Sequence, residues 1–218
     1  ALHAASAYGC EVTTTTISDS QYDYVCRQVE SVGMSSRIHV IKVDYRDLPQ
    51  CVGRRFEKVA SVEMIEAVGY EYLDTYFEIC DRLTAPGGKM FLQSIVISDD
   101  LYDSYTGAVD VIQRYIFPGG FLPSRSDLRR RIGSQTKFEL SDLVDITDHY
   151  PRTLRLWRGR FHENWDRFTE LGYPERLLRL WVYYFCYCEG GFLEQAVGNV
   201  QLLLTKQAVL SESSKQVS

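Results

Sequence analysis

The feature that most constrains the fold is the apolar run KMFLQSIVI (residues 89–97), which follows a Pro86-Gly87-Gly88 turn. A continuous apolar strand of this kind suits the middle of a parallel sheet, where both faces are covered. The segments before it alternate in kind. EVTTTTIS (11–18) is β-branched and short and reads as a strand. Ser18 then precedes DSQYDYVCRQVESVG, which puts Tyr22, Val25, Cys26 and Val29 on one helix face, with Ser18 as N-cap and Gly33 as stop. RIHVIKVDY (37–45) and FEKVASVEMI (56–65) read as strands, the second after a short polar loop. A helix is expected from about Tyr70 to Leu83. This rhythm predicts an α/β sheet with right-handed crossovers.

The rhythm breaks after Ser98. Residues 99–135 hold Tyr102, Tyr105, Tyr115, Phe117, Pro118-Gly119-Gly120 and Pro123. They read as a mostly helical insertion over one end of the sheet, placed where a lid would sit. FELSDLVDIT (138–147) is a strand. PRTLRLWRGRFHENWDRFTELG (151–172) is one amphipathic helix with Leu154, Trp157, Phe161, Trp165 and Phe168 at helical spacing. Pro174 opens a further helix carrying Leu178, Trp181, Tyr184, Phe185 and Cys188 on one face. VQLLLTKQ (200–207) is the last strand, and residues 207–218 form a polar tail expected to be disordered. The expectation is one domain over residues 1–206.

Composition is that of a folded globular chain, 45% hydrophobic and 24% charged over 218 residues, which excludes disordered, collagenous and coiled-coil classes. No apolar run is long enough to span a membrane. The net charge of -5 argues against a nucleic-acid binder. Positive charge concentrates in the middle of the chain, at Arg129, Arg130, Arg131, Arg152, Arg155, Arg158 and Arg160. That stretch is either a solvated helix face or a site for anionic headgroups or carrier phosphates. The six cysteines, including Cys186 and Cys188 in the core, fit reduced thiols in the cytoplasm, and no metal-ligand spacing is present.

Ligands of open α/β sheets bind at the carboxyl ends of the strands. Three such ends carry chemistry. Thr16-Ile17-Ser18 leads to Gln21. Asp44-Tyr45-Arg46 places a carboxylate beside a ring, which suits a purine. Glu63-Met64-Ile65-Glu66 sets two carboxylates three apart at a strand-to-helix junction. Each also has a plainer explanation: Ser18 as a cap, Asp44 as a turn residue, Glu66 as an acid near a helix N-terminus. Together they point to a nucleoside-containing ligand.

SVEMIEAVG, LQSI, YIFPGGFLPS, HYPRTLRLWR and YYFCYCEGGF resemble the cyclopropane-fatty-acyl-phospholipid synthase family, which includes the mycolic acid cyclopropane synthases. The plant-type members are the most similar, and the resemblance runs from about residue 9 to 206. It implies a Rossmann-like class I methyltransferase sheet with an antiparallel last strand. It implies S-adenosylmethionine as cofactor, with Thr16, Ile17, Gln21, Asp44 and Tyr45 near it, Tyr45 standing at a position that is usually Trp. It implies attack of a cis double bond of an unsaturated phospholipid on the sulfonium methyl, then ring closure with a bound bicarbonate as base. Glu66, Gln93, Ile95 and Tyr184 match the bicarbonate cradle, with Gln93 in place of a His and Ala67 in place of the His after the Glu. A Gln can donate a hydrogen bond but cannot be a cation. Tyr115, Phe117, Trp157, Tyr183 and Tyr187 are candidate walls for a carbocation, or core aromatics. The resemblance further implies peripheral membrane contact and allows a homodimer. Methyl branching, N-methylation of a small amine and a non-catalytic binding role are the alternatives. The family's Gly-rich turn, first strand and cradle Cys have no match in residues 1–218. We expect them upstream of Ala1, leaving a seam in the sheet and weak cofactor binding by this chain alone.

Overall fold

The computed structural model describes residues 1–208, which form two compact units, Ala1–Arg54 and the chain from Arg55 onward, where one domain is expected. The polar tail lies outside the described residues from residue 209. Its predicted first residue, Gln207, belongs to the fold: its N–H donates to the Lys137 carbonyl at 3.0 Å.

The first unit runs α1 (Leu2–Tyr8), β1 (Val12–Thr16), α2 (Asp19–Ser31), β2 (Ile38–Lys42) and α3 (Leu48–Val52). β1 and β2 pair in parallel from Val12↔Ile38 to Thr16↔Lys42. Ala5, Val29 and Ile38 are buried together, with Val12, Val25 and Val40 packed around them. Ser18 caps α2 as expected, its hydroxyl accepting the Gln21 N–H at 3.3 Å. The expected polar loop contains α3, a single turn entered through Pro49 and ended by Gly53 at φ 60°.

The second unit holds β3 (Phe56–Val62), α4 (Leu73–Leu83), β4 (Thr84–Ile97), α5 (Tyr102–Thr106), α6 (Val111–Tyr115), α7 (Arg125–Gln135), β5 (Phe138–Asp145), α8 (Tyr150–Glu163), α9 (Trp165–Glu170), α10 (Glu175–Leu193) and β6 (Val197–Lys206). Strand order is β3-β4-β6-β5. β3 and β4 are parallel; β6 is antiparallel to both neighbours, as expected of the last strand. Among the described residues β1 pairs only with β2 and β3 only with β4, so there are two sheets where the rhythm alone predicts one.

Three local expectations change. Pro86-Gly87-Gly88 is not a turn before the strand but a bulge within it. Phe56 pairs with Thr84 and Lys58 with Lys89, so β4 loops out several residues, with Gly87 at φ 75°. Gly88 is needed there, because a Cβ would stand 2.8 Å from the Ala85 carbonyl oxygen. The long helix over 151–172 divides at Asn164, whose side chain bonds back to the Arg160 carbonyl at 2.8 Å. β6 starts at Val197, three residues earlier than the apolar run suggests.

α4 and α7 are tied by buried charge. Arg131 and Asp127 are both almost fully buried; Arg131 Nε donates to Asp127 Oδ2 at 2.8 Å and Nη1 to Asp74 at 2.6 Å. The Tyr70 ring lies 5.3 Å from the guanidinium carbon. Removing one partner of a buried pair leaves a charge without compensation. Asp127→Ala should therefore cost about 3 kcal/mol or more, read as a lower urea midpoint, whereas Asp100→Ala, exposed in the same insertion, should leave the midpoint unchanged.

Candidate active site

β4 presents two faces. Met90, Leu92, Ser94 and Val96 are buried, while Phe91, Gln93 and Ile95 alternate with them on the other face and are half-buried. The ladder to β3 ends at Val62↔Gln93. The Ile95 N–H therefore finds no β3 partner, and Glu66 takes it, Oε1 accepting at 2.7 Å. Glu66 sits in the 3-10 turn Ile65–Ala67, pinned by fully buried Ile65 and by the Phe121 N–H, which donates to the Glu66 carbonyl at 2.8 Å. Its Oε2 is buried and unpartnered among the described residues. Burial raises the carboxyl to about 7 from an ordinary 4.5. Nearby backbone N–H groups oppose the shift, and the Glu63 charge adds to it.

Glu63 is the residue that the pattern of two carboxylates underrated. It holds φ 49°, a left-handed conformation uncommon for a residue with a Cβ. Its Oε1 accepts from Gln93 Nε2 at 2.9 Å, from Asn199 Nδ2 at 2.7 Å and from the Tyr150 hydroxyl in a short contact. Gln93 Oε1 in turn accepts from Gln201 Nε2 at 2.8 Å, across the register pair Gln93↔Gln201. Burial and then the Glu63 carboxylate hold the Tyr150 phenol well above its ordinary range. Tyr150, Asn199 and Gln201 were not foreseen. A usable signal existed, because Asn199 and Gln201 alternate with apolar residues along β6.

Tyr184 lies on α10 with Ile95 in one apolar cluster around Leu154, Phe185 and Phe192. Its ring meets Phe117 edge-on at 5.9 Å and Trp181 at 5.3 Å. Burial, then Cys188, raises the phenol; burial pushes the Cys188 thiol up to about 11. Of the other proposed wall residues, Tyr183 and Tyr187 stack on each other at 5.8 Å and Tyr115 lies under Arg114. Cys186, expected in the core, is exposed.

In the first unit the carboxyl end of β1 brings Thr16 and Gln21 together, the hydroxyl donating to Oε1 at 2.7 Å. A cavity of about 380 Å³ is lined by Thr14, Thr15, Thr16, Gln21, Tyr24 and Val40. Ile17 is 74% exposed. Asp44, at the end of β2, is gripped by Arg46, Nε and Nη2 donating to its two oxygens at 2.9 and 2.7 Å, which lowers its pKa. Tyr45 is half-buried beside it. No group of His, Cys, Asp or Glu among the described residues could hold a metal ion.

Parallel strands with an antiparallel final strand, and polar groups at the strands' carboxyl ends, define the class I methyltransferase fold. The solved mycolic acid cyclopropane synthase CmaA1, complexed with SAH and CTAB, superposes with a TM-score of 0.84 at 21% identity, over 94% of this chain and 73% of that one. The chain belongs to the family described as mycolic acid cyclopropane synthetase, whose model matches residues 1–202. It is 36% identical to the tuberculostearic acid methyltransferase UfaA1 of Mycobacterium tuberculosis over 188 residues, 86% of this chain and 43% of that protein. It is 30% identical to the cyclopropane-fatty-acyl-phospholipid synthase of Escherichia coli K12 over 206 residues, 94% of this chain and 50% of that protein. The chain thus spans about half the length of these relatives.

Two measurements follow from this geometry. A carboxyl raised to about 7 in the fold binds a proton that the unfolded chain releases near 4.5. Its contribution to stability is complete below pH 4.5 and is lost as pH rises to 7, by about 3 kcal/mol. Urea midpoints should show this slope, and Glu66→Gln should flatten it. At Glu63, Ala deletes the acceptor of three donors and keeps the strained φ, whereas Gly relieves it. Glu63→Gly should be more stable than Glu63→Ala by about 1 kcal/mol, and both less stable than the parent.

Proposed function

We propose that this protein transfers a methylene unit from S-adenosylmethionine to the cis double bond of an unsaturated phospholipid acyl chain, closing a cyclopropane ring. The observation that carries this reading is Glu66, a carboxylate buried with one orphaned oxygen beside the apolar cluster of Ile95 and Tyr184. An apolar pocket with one carboxylate suits positive charge developing on an alkyl chain, because low polarity strengthens the attraction. The names of the relatives support a lipid substrate.

The cofactor fits the first unit. The β1 cavity falls in the range of small-ligand sites, about 300–1,000 Å³, and is lined by three threonines, Gln21 and the Tyr24 ring. Gln21 and Thr16 would hold polar groups of the cofactor, with Asp44 and Tyr45 at the end of β2 beside the base. Arg46 neutralises Asp44, so that carboxylate offers hydrogen-bond acceptors more than net charge. When bound, the cofactor supplies an electrophilic methyl group.

Bicarbonate fits less well. Two of its expected donors are engaged inside the protein, the Ile95 N–H by Glu66 and the Gln93 amide by Glu63, Tyr150 and Gln201, which leaves only Tyr184 of the expected set. We therefore route the proton to Glu66 itself. A carboxylate raised to about 7 is half-ionised near neutrality, the optimum for a general base. Gln93 then serves as a fixed dipole at the rim. The work takes place at a membrane surface, since the substrate resides there, and residues 1–206 form the methyltransferase part.

The test is product analysis. The protein, incubated with methyl-labelled S-adenosylmethionine and vesicles of oleoyl phospholipid, should yield a cyclopropane acyl chain by mass spectrometry. Glu66→Gln should lower turnover by about a hundredfold or more with cofactor affinity held, and bicarbonate depletion should change little. A branched product, or label on an amine, would reject ring closure. Unchanged turnover in Glu66→Gln would remove Glu66 from the mechanism.

A further inference from the structure

Four of the five arginines of α8 and α9 fall into two groups, the fifth being the exposed Arg152 near the start of α8. Arg155 and Arg158 share the buried Glu189, at 2.9 and 3.1 Å. Arg160 and Arg167 turn to the other side, where they line a groove of about 460 Å³ with Trp157, Phe161, Asn164, Phe168, Leu171 and Phe185. Neither guanidinium has an ion-pair or hydrogen-bond partner among the described residues. The spacing explains the face: Trp157, Arg160, Phe161 and Asn164 share one side of α8, and Arg167, Phe168 and Leu171 one side of α9. Among the described residues no acidic side chain lines the groove; Glu163, Asp166 and Glu170 lie on the same elements but outside it.

A merely solvated face would carry its apolar residues inward. Here Trp157 and Leu171 of the groove's own lining stand open, Leu171 at 68% exposure and Trp157 at 46%, and exposed Tyr173 packs edge-on against Phe168. An aromatic and aliphatic floor ringed by uncompensated arginines, on a chain of net charge -5, has the chemistry of an interfacial lipid contact. The apolar side chains enter the acyl boundary and the guanidinium groups meet phosphate.

We propose that the α8–α9 groove docks the protein onto a bilayer surface rich in anionic phospholipid, with Trp157 and Leu171 inserted and Arg160 and Arg167 on headgroup phosphates. This rests on the lipid reading of the function and names the surface through which that substrate is approached. No helix among the described residues is long and apolar enough to cross a membrane, so contact through this face is interfacial.

The experiment is vesicle flotation of the 218-residue chain with phosphatidylcholine alone and with phosphatidylcholine containing phosphatidylglycerol. Binding should appear with the anionic lipid and fall in high salt. Arg160→Glu/Arg167→Glu should weaken it by roughly thirtyfold. Arg27→Glu/Arg129→Glu, the same charge change at exposed arginines elsewhere, should weaken it far less. Both pairs are exposed, so circular dichroism should report folded protein throughout. Acyl-brominated lipid should quench tryptophan fluorescence, and Trp157→Phe should remove most of the quenching.

Equal binding to both lipids, or equal loss in the two charge variants, would overturn the proposal. So would a lipid-free dimer that Trp157→Asp disrupts, which would assign the groove to a second copy of the chain. Methyl transfer without anionic-vesicle binding would sink the groove and leave the enzymatic reading intact. Binding without transfer would do the reverse.

Discussion

Everything in the second unit depends on the pairing of β4. It is hydrogen-bonded in parallel to β3 and in antiparallel register to β6 from Lys89↔Thr205 to Ile97↔Val197. Because side chains alternate along a strand, that register assigns two jobs at once. Met90, Leu92, Ser94 and Val96 close the core with Val200, Leu202 and Leu204 of β6 among its buried residues. Gln93 and Ile95 are placed opposite Gln201 and Asn199 on the other side. A shift by one residue would put Leu92 where the polar network needs an amide and Gln93 in the core. The site is thus specified by the hydrophobic pattern of the strand that carries it.

Glu63 and Glu66 show how three residues of separation produce two unlike carboxylates. Glu66 enters a turn closed by Ile65 and is largely buried, so burial outweighs the nearby backbone donors and the acid is weakened. Glu63 stays at the surface of the same junction and collects three donors on one oxygen, which replace water. One carboxyl is poised to exchange a proton, and the other orders its neighbours through the three donors it accepts. Their environments differ more than their chemistry does.

Much of this was legible because it is local. The alternation of strand and helix and the Ser18 cap follow from short stretches of sequence, and the antiparallel last strand from family likeness. What stayed hidden has physical reasons. The bulge at Gly87-Gly88 depends on where β3 begins to pair, which is not written in the PGG triplet. The break at Asn164 comes from one side chain competing for a backbone carbonyl in an otherwise continuous apolar pattern. Tyr150, Asn199 and Gln93 lie 87, 136 and 30 residues from Glu63 and meet only through tertiary structure. The expectation that Gln93 would donate to a ligand failed to foresee that its own neighbours saturate it.

β3 begins with exposed Glu57 and Lys58, and its carboxyl end holds Val62 at 56% exposure, followed by Met64 at 37%. The end of β1 repeats this with Ile17. Burying one such side chain is worth about 1.5–3 kcal/mol. Ligands of α/β sheets bind at these ends. In the second unit Val62 and Met64 flank Glu63 and lead into Glu66, and in the first Ile17 directly follows Thr16.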